Sequence, residues 1–168
     1  YAYRAKGKVA ELALGYQGSV GALKAMGADK MGLSDEELLD IVTRWREASP
    51  RIRDLWYKLE TAAVSAVKFG QPSGVQGLII DRETDPANGL DFLTIRLPSC
   101  NEFNKPAVHY WGAEGGTRKW TRLSTYGGKL TENVVQAIAR DCLAVTLERL
   151  ENAGYQTVMH IHDEAVVD

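Results

Sequence analysis

An α+β fold is predicted by three textures that succeed one another along the 168 residues. Residues 1–70 carry apolar positions at helical spacing with two capped helix starts. Residues 71–125 hold short β-forming runs set between glycines and prolines, and residues 126–168 return to helical spacing before closing on an alternating apolar run. The chain has the length of one domain, and 45% hydrophobic with 25% charged residues suits a single packed core.

Taken in order, Val9, Leu12, Ala13, Tyr16, Val20 and Leu23 keep three-four spacing, which predicts one helix over 4–26. Glycines 7, 15, 18 and 21 interrupt that pattern. Each costs about 1 kcal/mol against alanine in a helix interior, so they predict close approach of a ligand or another backbone. Ser34 with Glu37 forms a capping box that opens a helix to about Ala48. Ser49-Pro50 starts the next, which runs to Gly70. Leu38, Leu39, Ile41, Val42 and Trp45 on the first, and Ile52, Leu55, Trp56 and Leu59 on the second, predict a helical subdomain.

Beyond it, β-forming runs lie at 75–80, 92–97, 107–111 and 118–123, with turn material at Asp85-Pro86-Ala87-Asn88-Gly89 and Gly115-Gly116. They predict a small antiparallel sheet. Val134, Val135, Ile138, Leu143, Leu147 and Leu150 then mark a helix over 130–152 that Gly154 ends, and "YQTVMHIHDEAVVD" reads as strand broken by charge.

Bulk composition narrows the function. No apolar run reaches the roughly 18 residues that span a bilayer and no basic leader is present, so neither membrane nor secretion is expected. Cys100 and Cys142 have no partner at zinc spacing and are expected as reduced thiols in a cytoplasmic protein, Cys142 in the core. The net charge of -2 does not suggest a nucleic-acid partner, yet Arg4, Lys6, Lys8 and Lys24 stand against Glu11 alone over 4–24, a local basic face that could meet phosphate. The opening at Tyr1 and the stop at Asp168 inside an alternating run suggest a piece of a larger protein.

Two clusters could carry chemistry. Along a continuous strand His160, His162 and Glu164 would share one face, the pattern of a metal-dependent hydrolase. A turn at 162–164 would instead put Asp163 and Glu164 at a hairpin tip, suited to a hard cation such as Mg2+. A plain polar turn is the third reading. At the other end Arg4, Lys8, Leu12 and Tyr16 lie four apart, forming a stripe about 18 Å long that drifts about 40° per step. Cations beside the positive helix end, followed by an apolar and aromatic stretch, match a nucleoside triphosphate laid along it. A solvated cationic face beside a core stripe is the simpler alternative.

Here "RAKGKVAELALGYQG" resembles the Arg-x3-Lys-x7-Tyr pattern of the fingers helix in family A DNA polymerases, the bacterial polymerase I and phage type. "HDE" at 162–164 resembles that family's third motif, and "STYGGKLTENVVQAIARDCLA" is similar to the phage-branch segment that leads into the palm helix. Their order and separation fit, so the resemblance spans nearly the whole chain.

The resemblance implies fingers helices over 1–70, a β-rich insertion over 71–125, and a palm helix with the motif C hairpin over 126–168. It implies Arg4 and Lys8 as triphosphate ligands, with Lys8 also a proton donor to the departing pyrophosphate. Leu12 stands beside the incoming sugar, where many relatives carry Phe or Tyr, and Tyr16 matches the tyrosine at the templating position. Gln17 stands where many relatives have Gly. Gln136 and His162 are implied at the primer terminus, and Asp163 with Glu164 as catalytic carboxylates and metal ligands. The implied partners are primer-template DNA, deoxynucleoside triphosphates, two Mg2+ ions and the remainder of a polymerase chain, in a bacterial cytoplasm and of phage or prophage origin. The family's second aspartate lies upstream of the fingers helix, and Asp29, Asp54, Asp81 and Asp91 do not replace it. The 168 residues alone are therefore expected to be inactive. A hydrolase built on His160, His162 and Glu164 and a non-catalytic nucleic-acid-binding module are the rivals. Trp111, Trp120, Tyr110 and Tyr126 near Arg118, Lys119, Arg122 and Lys129 could serve such a module, while His109 is expected to be structural.

Overall fold

The computed structural model describes residues 2–89, 91–98, 102–106, 109–113, 117 and 119–168, with the backbone alone at 2–3, 102–106, 109–113 and 122. The order is α1 (Ala2–Leu14), α2 (Val20–Ala25), a 3-10 turn (Asp29–Met31), α3 (Asp35–Ala48) and α4 (Pro50–Phe69), then six strands, α5 (Gly127–Asn152) and a closing hairpin. The strands are β1 (Ser73–Val75), β2 (Leu78–Thr84), β3 (Asp91–Arg96), β4 (Glu102–Pro106), β5 (His109–Ala113) and β6 (Trp120–Ser124). β1 to β4 form one antiparallel sheet in sequence order, and β5 pairs β6. The fold is α+β.

The helix expected over 4–26 divides. α1 stops at Leu14, Gln17 takes the left-handed φ of 69°, and α2 starts again at Val20. Gly18 is the reason the chain can reverse so tightly: its amide bonds back to the Ala13 carbonyl at 3.1 Å, and a Cβ there would strike that same oxygen. Gly7 and Gly21 face open space, so close approach does not account for them.

α3 and α4 follow their end signals. Ser34 Oγ accepts from the Glu37 amide at 3.2 Å while Glu37 Oε2 accepts from the Ser34 amide at 2.8 Å, satisfying two donors that the helix start would orphan. Gly70 ends α4 at φ 62°, its amide bonding the Ala66 carbonyl. Ser49 precedes Pro50 as expected but caps with no side-chain hydrogen bond. Ser34→Ala is expected to cost about 1 kcal/mol, read as a shift in the unfolding midpoint. The Ser34 amide, then the Ser34 hydroxyl, hold the Glu37 carboxyl below its ordinary 4.5. A depressed carboxyl stabilises the fold fully above its unfolded value and loses that contribution as pH falls through the folded one. Acid should therefore destabilise wild type more than Glu37→Gln over that window.

The run at 75–80 is two strands. Gln76 and Gly77, with φ of 48° and 84°, make the two-residue turn between β1 and β2, the double left-handed geometry that a tight hairpin takes. The turn at 85–89 forms as read, with Asp85 accepting from Ala87 through its side chain and from Gly89 through its carbonyl. β4 has no apolar run of its own and exists by pairing with β3. Residues 107–108, Gly115-Gly116, Arg118 and Cys100 lie outside the described residues, as do the side chains of His109, Tyr110, Trp111 and Arg122.

Two buried clusters fix the helices. Ala13 and Leu14 of α1 pack with Leu23, Ala28, Leu38 and Val42, flanked by Trp45. Leu59, Ala62, Ala63 and Ala66 of α4 meet Val75, Leu78, Ile80, Leu93 and Ile95 of the sheet, with Leu130 and Val134 from α5. The alanines let α4 lie close to the sheet, and each large aliphatic side chain buried there is worth about 1.5–3 kcal/mol. Leu39 and Ile52, expected to help bury the subdomain, are exposed. α5 has no fully buried residue after Val134, so Cys142 is exposed and not in the core. The apolar stripe along α5 outruns the layer that covers its first two turns.

Candidate functional site

The closing segment is a hairpin of β7 (Thr157–Ile161) and β8 (Glu164–Val167), joined by a two-residue turn at His162 and Asp163. His162 takes φ 53°, the left-handed region such turns demand. Ile161 pairs Glu164 and His160 pairs Ala165, so His160 and Glu164 fall on opposite faces. The shared face of His160, His162 and Glu164 that a hydrolase site would need is therefore not formed. Among the described residues no three His, Cys, Asp or Glu side chains converge as a metal site.

One face of the hairpin turns toward α5. Between them lies a cleft of about 630 Å³ lined by Gln136, Ala139, Arg140, Leu143, Ala144, Leu147, His160, His162 and Asp163. Gln136 and Arg140 stand one turn apart, so both reach the same wall. Three of the residues that the polymerase resemblance implies, Gln136, His162 and Asp163, thus come together, and His160 of the hydrolase reading lines the same cleft. Glu164 is exposed beside them but lines the other face. Arg140 and His160 complete the polar rim; nothing in their local spacing marked Arg140. The carboxylates of Asp163 and Glu164 are exposed and make no hydrogen bond or ion pair among the described residues. As hard oxygen donors free of protein partners they fit a divalent cation, yet they are two donors rather than a full set.

α1 presents the second group. Val9, Ala10, Ala13 and Leu14 turn inward, leaving Arg4 and Lys8 exposed and Leu12 46% exposed. These three share the outer face of the helix. Tyr16 does not extend that helical stripe, because it lies in the turn beyond Leu14, half-buried. No hydrogen bond or ion pair among the described residues joins α1 to the hairpin. The link between the two groups is α5. Its first turn meets Tyr16 and Gln17, and its cleft wall begins at Gln136, about 12 Å further along at 1.5 Å per residue.

That meeting point is closely built. A Cβ on Gly127 would strike the Trp56 carbonyl, and one on Gly128 would strike the Tyr16 carbonyl. The Gly128 amide donates to Gln17 Oε1 at 2.7 Å, and Trp56 Nε1 donates to the Gly15 carbonyl at 2.9 Å. Trp56 is buried and stacks on Trp45 with centroids 6.0 Å apart, while Trp45 Nε1 donates to Glu11 Oε1 at 3.1 Å. The Gly127-Gly128 pair opening a helix was the available signal for this junction. Away from it, Trp120 at the start of β6 is 67% exposed with exposed Lys119 just before it, and Tyr126 is exposed ahead of α5.

None of Asp29, Asp54, Asp81 and Asp91 lines the cleft. Asp81 accepts from the Arg82 amide, and Asp91 accepts from Thr84 Oγ1 across β2 and β3. No helix is long and apolar enough to cross a membrane among the described residues.

No family model matches the chain, and no solved structure matches it. Aligned over 174 positions, it is 52% identical to the DNA polymerase of Bacillus phage SP02, an alignment that takes in 98% of this chain and 26% of that protein. Along almost all of its own length, this chain is therefore similar to about a quarter of a phage DNA polymerase.

Proposed function

We propose that the chain is the nucleotide-binding part of a template-directed DNA polymerase of the family A type, together with half of its metal site. What carries the reading is the cleft that gathers Gln136, His162 and Asp163 at a hairpin tip, in a chain so similar to a polymerase. Residues 1–70 act as fingers, 71–125 as a β insertion, and 126–168 as palm helix and motif C hairpin.

In this reading the primer 3′ oxygen attacks the α-phosphorus of a deoxynucleoside triphosphate, and the bond to pyrophosphate breaks. Arg4 and Lys8 bind the triphosphate, and Lys8 gives a proton to the leaving pyrophosphate. Leu12 packs beside the sugar, and Tyr16 marks the templating position at the foot of α5. Gln136 and His162 hold the primer terminus. Asp163, with Glu164 in support, would hold Mg2+, which when bound would activate the 3′-hydroxyl and stabilise the leaving oxygen. The remaining aspartate comes from elsewhere in the parent chain. Primer-template DNA and deoxynucleoside triphosphates are the partners, and the bacterial cytoplasm is the setting.

Primer extension tests this directly. The full-length parent should add nucleotides to an annealed primer only with template and Mg2+, while the 168 residues alone should give no sustained extension. A parent that hydrolyses triphosphates without extending the primer would overturn the proposal.

A further inference from the structure

We infer that Gln17 is a positioning residue that ties the nucleotide-binding helix to the helix of the primer cleft. The inference rests on the polymerase reading. Three helices converge on residues 15–18: Trp56 of α4 donates to the Gly15 carbonyl, Arg46 of α3 donates to the Gly18 carbonyl at 3.1 Å, and Gln17 accepts from Gly128 of α5. The first two hold only backbone. The third is a side-chain bond between segments 111 residues apart, and it supplies what α5 lacks, since Tyr126 at its N-cap makes no side-chain cap. Gln17 thus caps α5 from outside it.

The cost of that arrangement is visible in the backbone. Gln17 adopts φ 69°, a region that glycine enters freely and a side chain does not. Glycine would make the same turn with less strain but would leave the Gly128 amide without its side-chain acceptor. The side chain is kept where only its bond to α5 repays it. On the other side, Gly128 has no Cβ because one would collide with the Tyr16 carbonyl, so the bond and the bare helix start fit one another.

The consequence is a lever. Arg4 lies about 15 Å along α1 from Leu14, where the helix ends, so a tilt of about 5° at that end displaces the guanidinium by about 1.3 Å. Misplacement on that scale is enough to disturb binding of a reacting group. Loss of the bond should therefore appear in nucleotide use, although Gln17 lies at the opposite end of α1 from the cations. Affinity for primer-template, set on α5 and the hairpin, should hardly move.

The test uses the full-length parent and compares Gln17→Ala with Gln17→Glu. A carboxylate keeps the acceptor and suits a helix N-terminus. Gln17→Ala should raise KM for the deoxynucleoside triphosphate about fivefold, the size of one lost hydrogen bond, with primer-template Kd within about twofold. Gln17→Glu should restore KM. The inference is overturned if Gln17→Ala leaves KM unchanged, if Gln17→Glu is as impaired as Gln17→Ala, or if KM rises and DNA affinity falls together as they would in a misfolded protein. A wild-type parent without primer extension would instead refute the polymerase reading itself, so the two failures are told apart.

Discussion

Asp163→Asn in the full-length parent is expected to slow primer extension by about a thousandfold, since a metal-held charge contributes several kcal/mol to phosphoryl transfer. The substitution keeps the size and shape of the side chain and removes the charge that would hold a hard cation. Asp163 occupies an exposed turn and its carboxylate makes no hydrogen bond or ion pair among the described residues, so the fold should not register the change. Glu164→Gln should be milder, because Glu164 lies on the face of the hairpin away from the cleft. Single-turnover extension, with unfolding midpoints measured alongside, checks both. Equal rates for wild type and Asp163→Asn would remove Asp163 from the chemistry.

Gly128→Ala should damage the protein in the opposite manner, through its fold. The added methyl would meet the Tyr16 carbonyl and the Gln17 side chain, and neither can yield without parting the turn after α1 from α5. A cost of about 3 kcal/mol is expected for overpacking of this kind. Gly127→Ala should behave alike against the Trp56 carbonyl. Gly7→Ala is the contrast: it adds a methyl to a helix where nothing lies within 4 Å, and a gain of about 0.5–1 kcal/mol is expected. Thermal unfolding of the three variants separates them, and a Gly128→Ala protein as stable as wild type would contradict the junction described above.

These cases also mark what could be read from the sequence. The starts and stops of α3 and α4 were legible because a capping box, a Ser-Pro pair and a terminal glycine act within a few residues of themselves. A turn at 162–164 was among the readings left open against a continuous strand, and pairing of Ile161 with Glu164 narrows it to His162-Asp163. The break after Leu14 was not legible, since it is held by Trp56, Arg46 and Gly128, residues 28 or more positions away. β4 was missed because a strand made by its neighbour needs no apolar alternation of its own. Cys142 was misplaced for a related reason: spacing identifies an apolar stripe but not what covers it. Arg140 joins the cleft through the fold of the hairpin onto α5, a placement that no local pattern announces.

The central claim is that the cationic end of α1 and the acidic hairpin tip act on one nucleotide. Lys8→Ala and Asp163→Asn, made singly and together in the full-length parent, test it by single-turnover nucleotide incorporation. Groups serving one triphosphate-metal assembly lose less in combination than the product of their separate losses. A double variant little worse than Asp163→Asn alone is the expected result, and losses that multiply in full would contradict the account.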